Sequence, residues 1–327
     1  MSRLQERWYS DQAPALPWRL LESFYRFVVT RRRAAAKQAW QPPVPLVVVG
    51  NITLGGTGKT PLVAWLVERA RQAGFRPGIV SRGYKAKPPA LPWVVEASGN
   101  PAQCGDEPLM LARRCGCPVV IDPNRVQAAR HLLERFDCDL IISDDGLQHH
   151  ALGRDLELVV IDGVRGLGNG HCLPAGPLRE PAERLSSVDF VISNGRPKPS
   201  LERVDVQMRL QPQRYRALDG AELPLEHFSG ERVHAVAGIG NPKRFFDTLA
   251  SLGVSFMPHP FPDHHAYTAD ELQFEPPLPL LTTEKDAIKW AGLGLRQGYY
   301  LEVAAELPET FAAALLQRLT EIAQTKR

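Results

Sequence analysis

The segment Thr53-Leu54-Gly55-Gly56-Thr57-Gly58-Lys59-Thr60 constrains this chain more than any other, because of what flanks it. Upstream, Leu46-Val47-Val48-Val49-Gly50 is a short apolar run suited to a buried strand. Downstream, Leu62, Trp65, Leu66 and Arg69 recur at helical spacing, which predicts a helix from Pro61 to about Ala73. A glycine-rich turn between strand and helix is a ready phosphate cradle: its glycines let backbone N–H groups turn inward, and the helix dipole favours an anion there. In this reading residues Thr53 to Thr60 bind a nucleotide, Lys59 reaches the β- and γ-phosphates, and the Thr60 hydroxyl can ligate Mg²⁺. The usual first glycine is replaced by Thr53, and Leu54 stands where one branch of such loops carries a second lysine.

The same texture continues. Strand-like runs at Pro77–Arg82, Pro118–Asp122, Leu140–Asp144, Leu156–Asp162 and Phe190–Asn194 alternate with helical stretches such as Glu107–Arg114 and Arg125–Phe136. Apolar strands without alternation are covered on both faces, so the expectation is an α/β chain, a P-loop NTPase-like α/β/α sandwich with a mainly parallel sheet. Ligands of such sheets collect at the carboxyl ends of the strands. Beyond Arg203 the pattern changes to an extended segment, and strands at Val233–Ile239, Leu278–Leu281 and Tyr299–Val303 with helices at Pro242–Ser251 and Pro308–Thr325 suggest a second, smaller α/β domain. The expected division is 1–40, 41–202, an extended linker at 203–228, and 229–327.

Charge singles out the first of these segments. Residues 1–40 hold eight Arg and Lys against three acids, a net of +5 in a chain whose total is +3. Leu20, Leu21, Phe24, Phe27 and Val28 share one helical face there, with Arg19, Arg26 and Arg31–Arg33 beside or beyond it. Such an N-terminal amphipathic helix fits an anionic membrane surface or packing on its own domain. The longest uncharged stretch, Gln38 to Gly58, contains three prolines and four glycines and cannot span a bilayer. No nucleic-acid motif accompanies the basic run, so no nucleic-acid partner is expected. Five cysteines without a paired framework indicate a reduced, cytosolic chain, and Cys115-Gly116-Cys117 is too tightly spaced for a zinc knuckle.

A phosphate loop calls for an acidic strand end that holds the metal, and Leu140-Ile141-Ile142-Ser143-Asp144-Asp145 supplies one. Only one of Asp144 and Asp145 need contact Mg²⁺; the other can orient a water or the phosphate lysine. Asp106, in Gly105-Asp106-Glu107-Pro108, is either a helix N-cap or a base. Glu180 is either a further acidic contact to Mg²⁺ or part of a helix start, and Arg125, Arg179 and His149 are candidate phosphate or substrate contacts. The adjacent His264 and His265 would point apart in a strand, which argues against a metal pair.

Taken together, several segments resemble the tetraacyldisaccharide 4′-kinases (lipid A 4′-kinases) of Gram-negative bacteria. They are Gly50-Asn51-Ile52-Thr53 through Lys59-Thr60-Pro61, Ser81-Arg82-Gly83-Tyr84, Gly105-Asp106-Glu107-Pro108, Asp144-Asp145-Gly146-Leu147-Gln148-His149, Leu173 through Pro181, Phe261-Pro262-Asp263-His264-His265, and Thr282-Thr283-Glu284-Lys285-Asp286. They run in order from residue 50 to 286, and the amphipathic N-terminus belongs to the same pattern. The resemblance implies transfer of the γ-phosphate of ATP, with Mg²⁺, to the 4′-hydroxyl of a tetraacyl glucosamine disaccharide 1-phosphate, forming lipid IVA in lipopolysaccharide biosynthesis. It implies a peripheral location at the cytoplasmic face of the inner membrane and a nucleotide near the interdomain cleft; no obligate protein partner is inferred. It also pairs Asp106 as catalytic base with His264, beside Lys59. The competing readings are a nucleotide-switch or metallochaperone GTPase and a membrane-associated partitioning ATPase. The first would need a guanine-reading Asn/Thr-Lys-x-Asp, and Lys285-Asp286 lacks the intervening residue.

Overall fold

The computed structural model describes residues 3–10, 12–34 and 39–326. Asp11 and Lys37, counted above in the basic segment, lie outside the described residues. The strands are β1 (Leu46–Gly50), β2 (Pro77–Ser81), β3 (Trp93–Val94), β4 (Val119–Ile121), β5 (Leu140–Asp144), β6 (Leu156–Asp162), β7 (Phe190–Asn194), β8 (Val206–Ala217), β9 (Glu222–Leu223), β10 (Arg232–Ala237), β11 (Ser255–Pro260), β12 (Leu280–Thr283) and β13 (Gly298–Glu306). The helices are α1 (Arg3–Trp8), α2 (Leu16–Ala34), α3 (Lys59–Gln72), α4 (Pro101–Cys104), α5 (Asp106–Cys115), α6 (Arg125–Arg135), α7 (Pro242–Ser251), α8 (Glu284–Trp290) and α9 (Glu309–Thr325).

The strands form one sheet in the order β11-β10-β12-β13-β8-β7-β6-β1-β5-β2-β4-β3, with β9 added to β8. Pairing is parallel except where β13 and β9 meet β8 and where β3 meets β4. This is the expected α/β/α architecture. Every residue of β1, β5 and β6 is buried, because helices cover both faces. Val47 and Val49 join a core with α3, α5 and α9, whereas Leu46 and Val48 face a second core that includes Ala128 and Leu132 of α6.

The segment 203–228, expected as an extended linker, carries the longest strand of the sheet. The start of β8 pairs parallel with β7 (Ile192 against Val206), and the rest pairs antiparallel with β13. One strand thus welds the two units into a continuous sheet. The last helix also crosses the expected division. Phe311, Leu315 and Leu319 of α9 pack in the core of the first unit, Phe311 stacks on Trp65 at 6.0 Å, and Lys326 Nζ reaches Asp155 at 2.7 Å. Among the elements not expected from the sequence are an edge strand and a short helix of the second unit. β11 contains Pro258 and Pro260, which an edge strand tolerates because it pairs on one side only. α8 is short and charged, and starts where Thr283 Oγ1 accepts from the N–H of Asp286 at 3.2 Å.

α2 lies on the body with its polar side inward. Glu22 is buried and bonds His171 Nδ1 and the Cys172 N–H, each at 2.7 Å, and Tyr25 donates to the Arg179 carbonyl at 2.9 Å. Leu16, Leu20, Leu21, Phe24 and Phe27 are left 51–68% exposed. No described helix is long and apolar enough to cross a membrane.

Candidate active site

The glycine loop leaves β1 and is braced from behind. Asn51 donates to the Thr53 carbonyl at 2.8 Å, the Leu54 N–H donates to Pro177 at 2.8 Å, and Asn194 Nδ2 donates to the Thr57 carbonyl at 2.9 Å. Gly58 has φ +94°, and a Cβ there would fall 2.3 Å from Asn194 Nδ2, so both backbone and space demand glycine. α3 begins at Lys59, two residues before the expected Pro61, because proline is tolerated within a first turn. Thr53 is 3% exposed and supports the loop, while Leu54 through Thr60 line a cavity of about 1160 Å³ between the two units.

β5 ends beside this loop. Asp144 is 1% exposed; its Oδ2 accepts from Ser81 Oγ at 3.4 Å, and its Oδ1 has no partner among the described residues. Burial, then the neighbouring Glu107 charge, push its carboxyl up to about 7. Asp145 differs. Burial opposes its charge too, but Lys59 Nζ at 3.3 Å and Arg179 at 3.1 Å hold it at about 2. An orphaned buried carboxylate oxygen beside a hydroxyl-bearing loop fits a divalent cation. Thr60, Asp144 and Asp145, all on the cavity wall, are the residues that could hold Mg²⁺. Among the described residues no group of three or more His, Cys, Asp or Glu forms a cage.

Three of the expected residues stand behind this layer. Arg125 is 4% exposed and donates to the backbone carbonyls of Asp122 (3.3 Å) and Asp145 (3.4 Å), with burial lowering its pKa to about 10. Glu180, 1% exposed, accepts from Gln148 at 2.7 Å and lies 3.2 Å from Arg184. His149 is not on the cavity wall; its successor His150 is, and burial with the Arg125 charge holds the His149 ring at about 4.

Across the cavity, Asp106 opens α5. The N-cap is Gly105, and it makes no side-chain capping bond, so the Asp106 carboxylate is free of that task. Its Oδ2 faces His264 Nδ1 at 3.5 Å and Lys289 Nζ at 4.0 Å. Burial alone would raise the Asp106 carboxyl, but His264, Lys289 and Lys285 hold it below its ordinary value. His264 takes φ +60°, an uncommon backbone conformation for a residue with a Cβ, and its ring meets Tyr84 edge-on at 5.3 Å. The cavity therefore brings together Lys59, Thr60, Asp106, Asp144, Asp145, Arg179 and His264.

The sequence reading did not single out Glu107, Gln148, Asn194 and Lys285. Gln148, Glu107 and Lys285 lay inside quoted segments without assigned roles, and each now lines the cavity. Only the fold could reveal Asn194, because its contact with Thr57 spans 137 positions. Asp286, which a guanine reader would present to a base, is instead fully buried and accepts from the Gly238 N–H at 2.9 Å.

Comparison with known proteins identifies the family. The family described as Tetraacyldisaccharide-1-P 4′-kinase matches residues 15–320. The chain is 51% identical over 328 residues to the tetraacyldisaccharide 4′-kinase of Pseudomonas aeruginosa (strain UCBPP-PA14), covering 98% of each chain. It is 52% identical over 326 residues to that of Ectopseudomonas mendocina, covering 98% of this chain and 97% of the other. The crystal structure of LpxK from Aquifex aeolicus in complex with ATP superposes with a TM-score of 0.75 at 27% identity, covering 93% of this chain and 97% of that one. With a family match over nearly its whole length and relatives at half identity, the chain belongs to the tetraacyldisaccharide-1-P 4′-kinase family.

Proposed function

We propose that this chain transfers the γ-phosphoryl group of ATP to the 4′-hydroxyl of a tetraacyl glucosamine disaccharide 1-phosphate, at the cavity between its two units. The carrying observation is that Asp106, paired with His264, lines the same cavity as the phosphate loop. The sugar oxygen bonds to the γ-phosphorus as the bond to the β-phosphate oxygen breaks, ADP departs, and the hydroxyl proton passes to the Asp106 carboxylate. That carboxylate is ionised at neutral pH because its pKa lies below the ordinary value. Loop N–H groups and Lys59 stabilise the charge on the transferring phosphoryl group, as preorganised donors do. Asp145 and Arg179 hold the lysine and one another in place. Thr60, Asp144 and Asp145 would hold Mg²⁺, which when bound neutralises charge on the β- and γ-oxygens. Glu180 holds Gln148 on the cavity wall, and Arg125 braces the backbone at Asp145.

The acceptor is a lipid, and α2 supports delivery from a membrane at the cytoplasmic face of the inner membrane. One side of the helix exposes Leu16, Leu20, Leu21, Phe24 and Phe27, and the adjoining flank, which takes Val28 from the expected apolar face, puts Tyr25, Val28, Val29 and Arg32 on the cavity wall. A surface that enters the bilayer interface is thus continuous with the active site. Leu20→Glu with Phe24→Glu removes two contacts of about 2 kcal/mol each, so binding to anionic phospholipid vesicles should fall at least about a hundredfold. Both positions are exposed, so the melting temperature should hold; unchanged vesicle binding would return the helix to a packing role.

The test of the activity is incubation with γ-labelled ATP and a monophosphorylated tetraacyl disaccharide, with the position of the label determined. Label on the 4′-oxygen supports the reading. Release of free phosphate only, or label on the existing 1-phosphate, overturns it.

A further inference from the structure

We propose that Lys285 is a positioning residue for this reaction: its ammonium, held between Glu107 and Asp263, donates to Nε2 of His264 and so fixes the imidazole with its proton on Nδ1, facing Asp106. The inference rests on the reading of Asp106 as the base and deepens it.

Lys285 sits where three groups converge. Its Nζ lies 2.9 Å from Glu107 Oε1, 3.5 Å from Asp263 Oδ1 and 3.4 Å from His264 Nε2. Only its partners on one side belong to the second unit. Glu107 comes from α5, next to Asp106, so the contact spans the cleft. An ammonium is donor-only, so the histidine nitrogen 3.4 Å from it offers a lone pair, while Asp263 Oδ1, at 3.9 Å from the same nitrogen, is too far to take a proton from it. The ring proton is then left on Nδ1, 3.5 Å from Asp106 Oδ2. The contacts are long for hydrogen bonds, as catalytic contacts often are before substrate arrives.

The backbone keeps lysine and histidine in register through a single residue. Gly238 donates its N–H to Asp286 Oδ2 at 2.9 Å and accepts from the His264 N–H at 3.3 Å. Asp286 follows Lys285 and is itself pinned by Thr283 Oγ1 and Lys289 Nζ, each at 2.8 Å. A Cβ on Gly238 would fall 2.4 Å from Tyr267 Oη, so only glycine fits at this anchor. Lys285 stays charged: burial alone would lower its pKa, but Glu107 and Asp263 hold it above the ordinary value.

The consequence is a division of labour. A histidine with its proton on Nδ1 is a donor to Asp106 and cannot also take the proton that Asp106 receives. His264 and Lys289 both make their closest approach to Asp106 at Oδ2. Oδ1 is therefore the oxygen that receives the proton of the sugar hydroxyl, and the imidazole orients the carboxylate without relaying.

Two measurements on the full chain decide the matter. In ¹⁵N-histidine spectra near neutral pH, His264 should show a proton on Nδ1 and none on Nε2, and Lys285→Met should put a proton on Nε2. Kinetically, Lys285→Met should lower kcat by about tenfold or more through misplacement of the base, with a smaller effect on the KM for ATP. In a His264→Ala background the same substitution should cost under about threefold, since residues acting as a unit are non-additive. Lys285→Arg, which keeps a donor, should recover part of the loss and guards against simple misfolding. Wild-type protein carrying its proton on Nε2, or an equal loss in both backgrounds, overturns the proposal. Neither result touches the base assignment, which falls separately if Asp106→Asn keeps normal turnover.

Discussion

Asp106→Asn should lower kcat by about 10²–10⁴-fold, the range for losing a positioned general base, with little change in the KM for ATP. The amide keeps the shape of the side chain and cannot accept the hydroxyl proton. Folding is expected to survive, because Gly105 and not Asp106 caps α5 and because Asp106 lies in the cleft. That combination separates the two roles that the sequence left open, since asparagine caps a helix about as well as aspartate and a residue that only capped α5 would keep both stability and kcat. The pH profile gives a second handle. Burial opposes the Asp106 charge, yet His264, Lys289 and Lys285 hold the carboxyl below its ordinary 3.8. The base works only when ionised, so activity should fall as pH drops through that lowered value. His264→Ala removes one of the groups holding it down and should move this acid limb to higher pH. A limb that stays in place, or an Asp106→Asn variant within a few-fold of normal, would remove Asp106 from the chemistry.

The features visible in the sequence are those encoded locally. A phosphate loop is contiguous because one turn must present successive N–H groups to one anion, and its flanking strand and helix are written in neighbouring residues. Asp144 and Asp145 were equally legible, since the carboxyl end of a parallel strand is where ligands gather. Composition could not assign the two acids different tasks. That follows from depth and partners, with Asp144 buried and unpartnered on one oxygen and Asp145 neutralised by Lys59 and Arg179. The extended character of 203–228 was legible too, but an alternating segment does not say which strands it will join. Long-range partners decided the remainder. Trp65 and Phe311 are 246 positions apart and meet at 6.0 Å, so nothing near α9 announces that it packs on the first unit. His149 and Glu180 were chosen by type and motif; which of two adjacent histidines faces the cavity depends on the turn after β5, begun by Asp145 at φ +49°.

Lys59→Ala should reduce kcat by about 10²–10³-fold, the usual cost of removing one preorganised donor to transition-state charge. Lys59 starts α3 at the mouth of the loop, and its ammonium is close enough to Asp145 (3.3 Å) to be held ready before a nucleotide enters. Lys59→Arg should recover only part of the activity, because a planar guanidinium cannot occupy a site shaped for a compact ammonium. Stability should change little at neutral pH, since the Asp145 side chain is 32% exposed and Arg179 remains beside it at 3.1 Å. The sign of the pH dependence follows from the same pair. Lys59 and Arg179 hold the Asp145 carboxyl at about 2 against an ordinary 3.8, so their contribution is present above the ordinary value and is lost as pH falls through about 2. The difference in melting temperature between wild type and variant should therefore shrink on acidification over that window. A Lys59→Ala protein that turned over at near-normal rate would show that the γ-phosphate is stabilised elsewhere. One that lost folding along with activity would make the lysine a structural partner of Asp145 before a catalytic one.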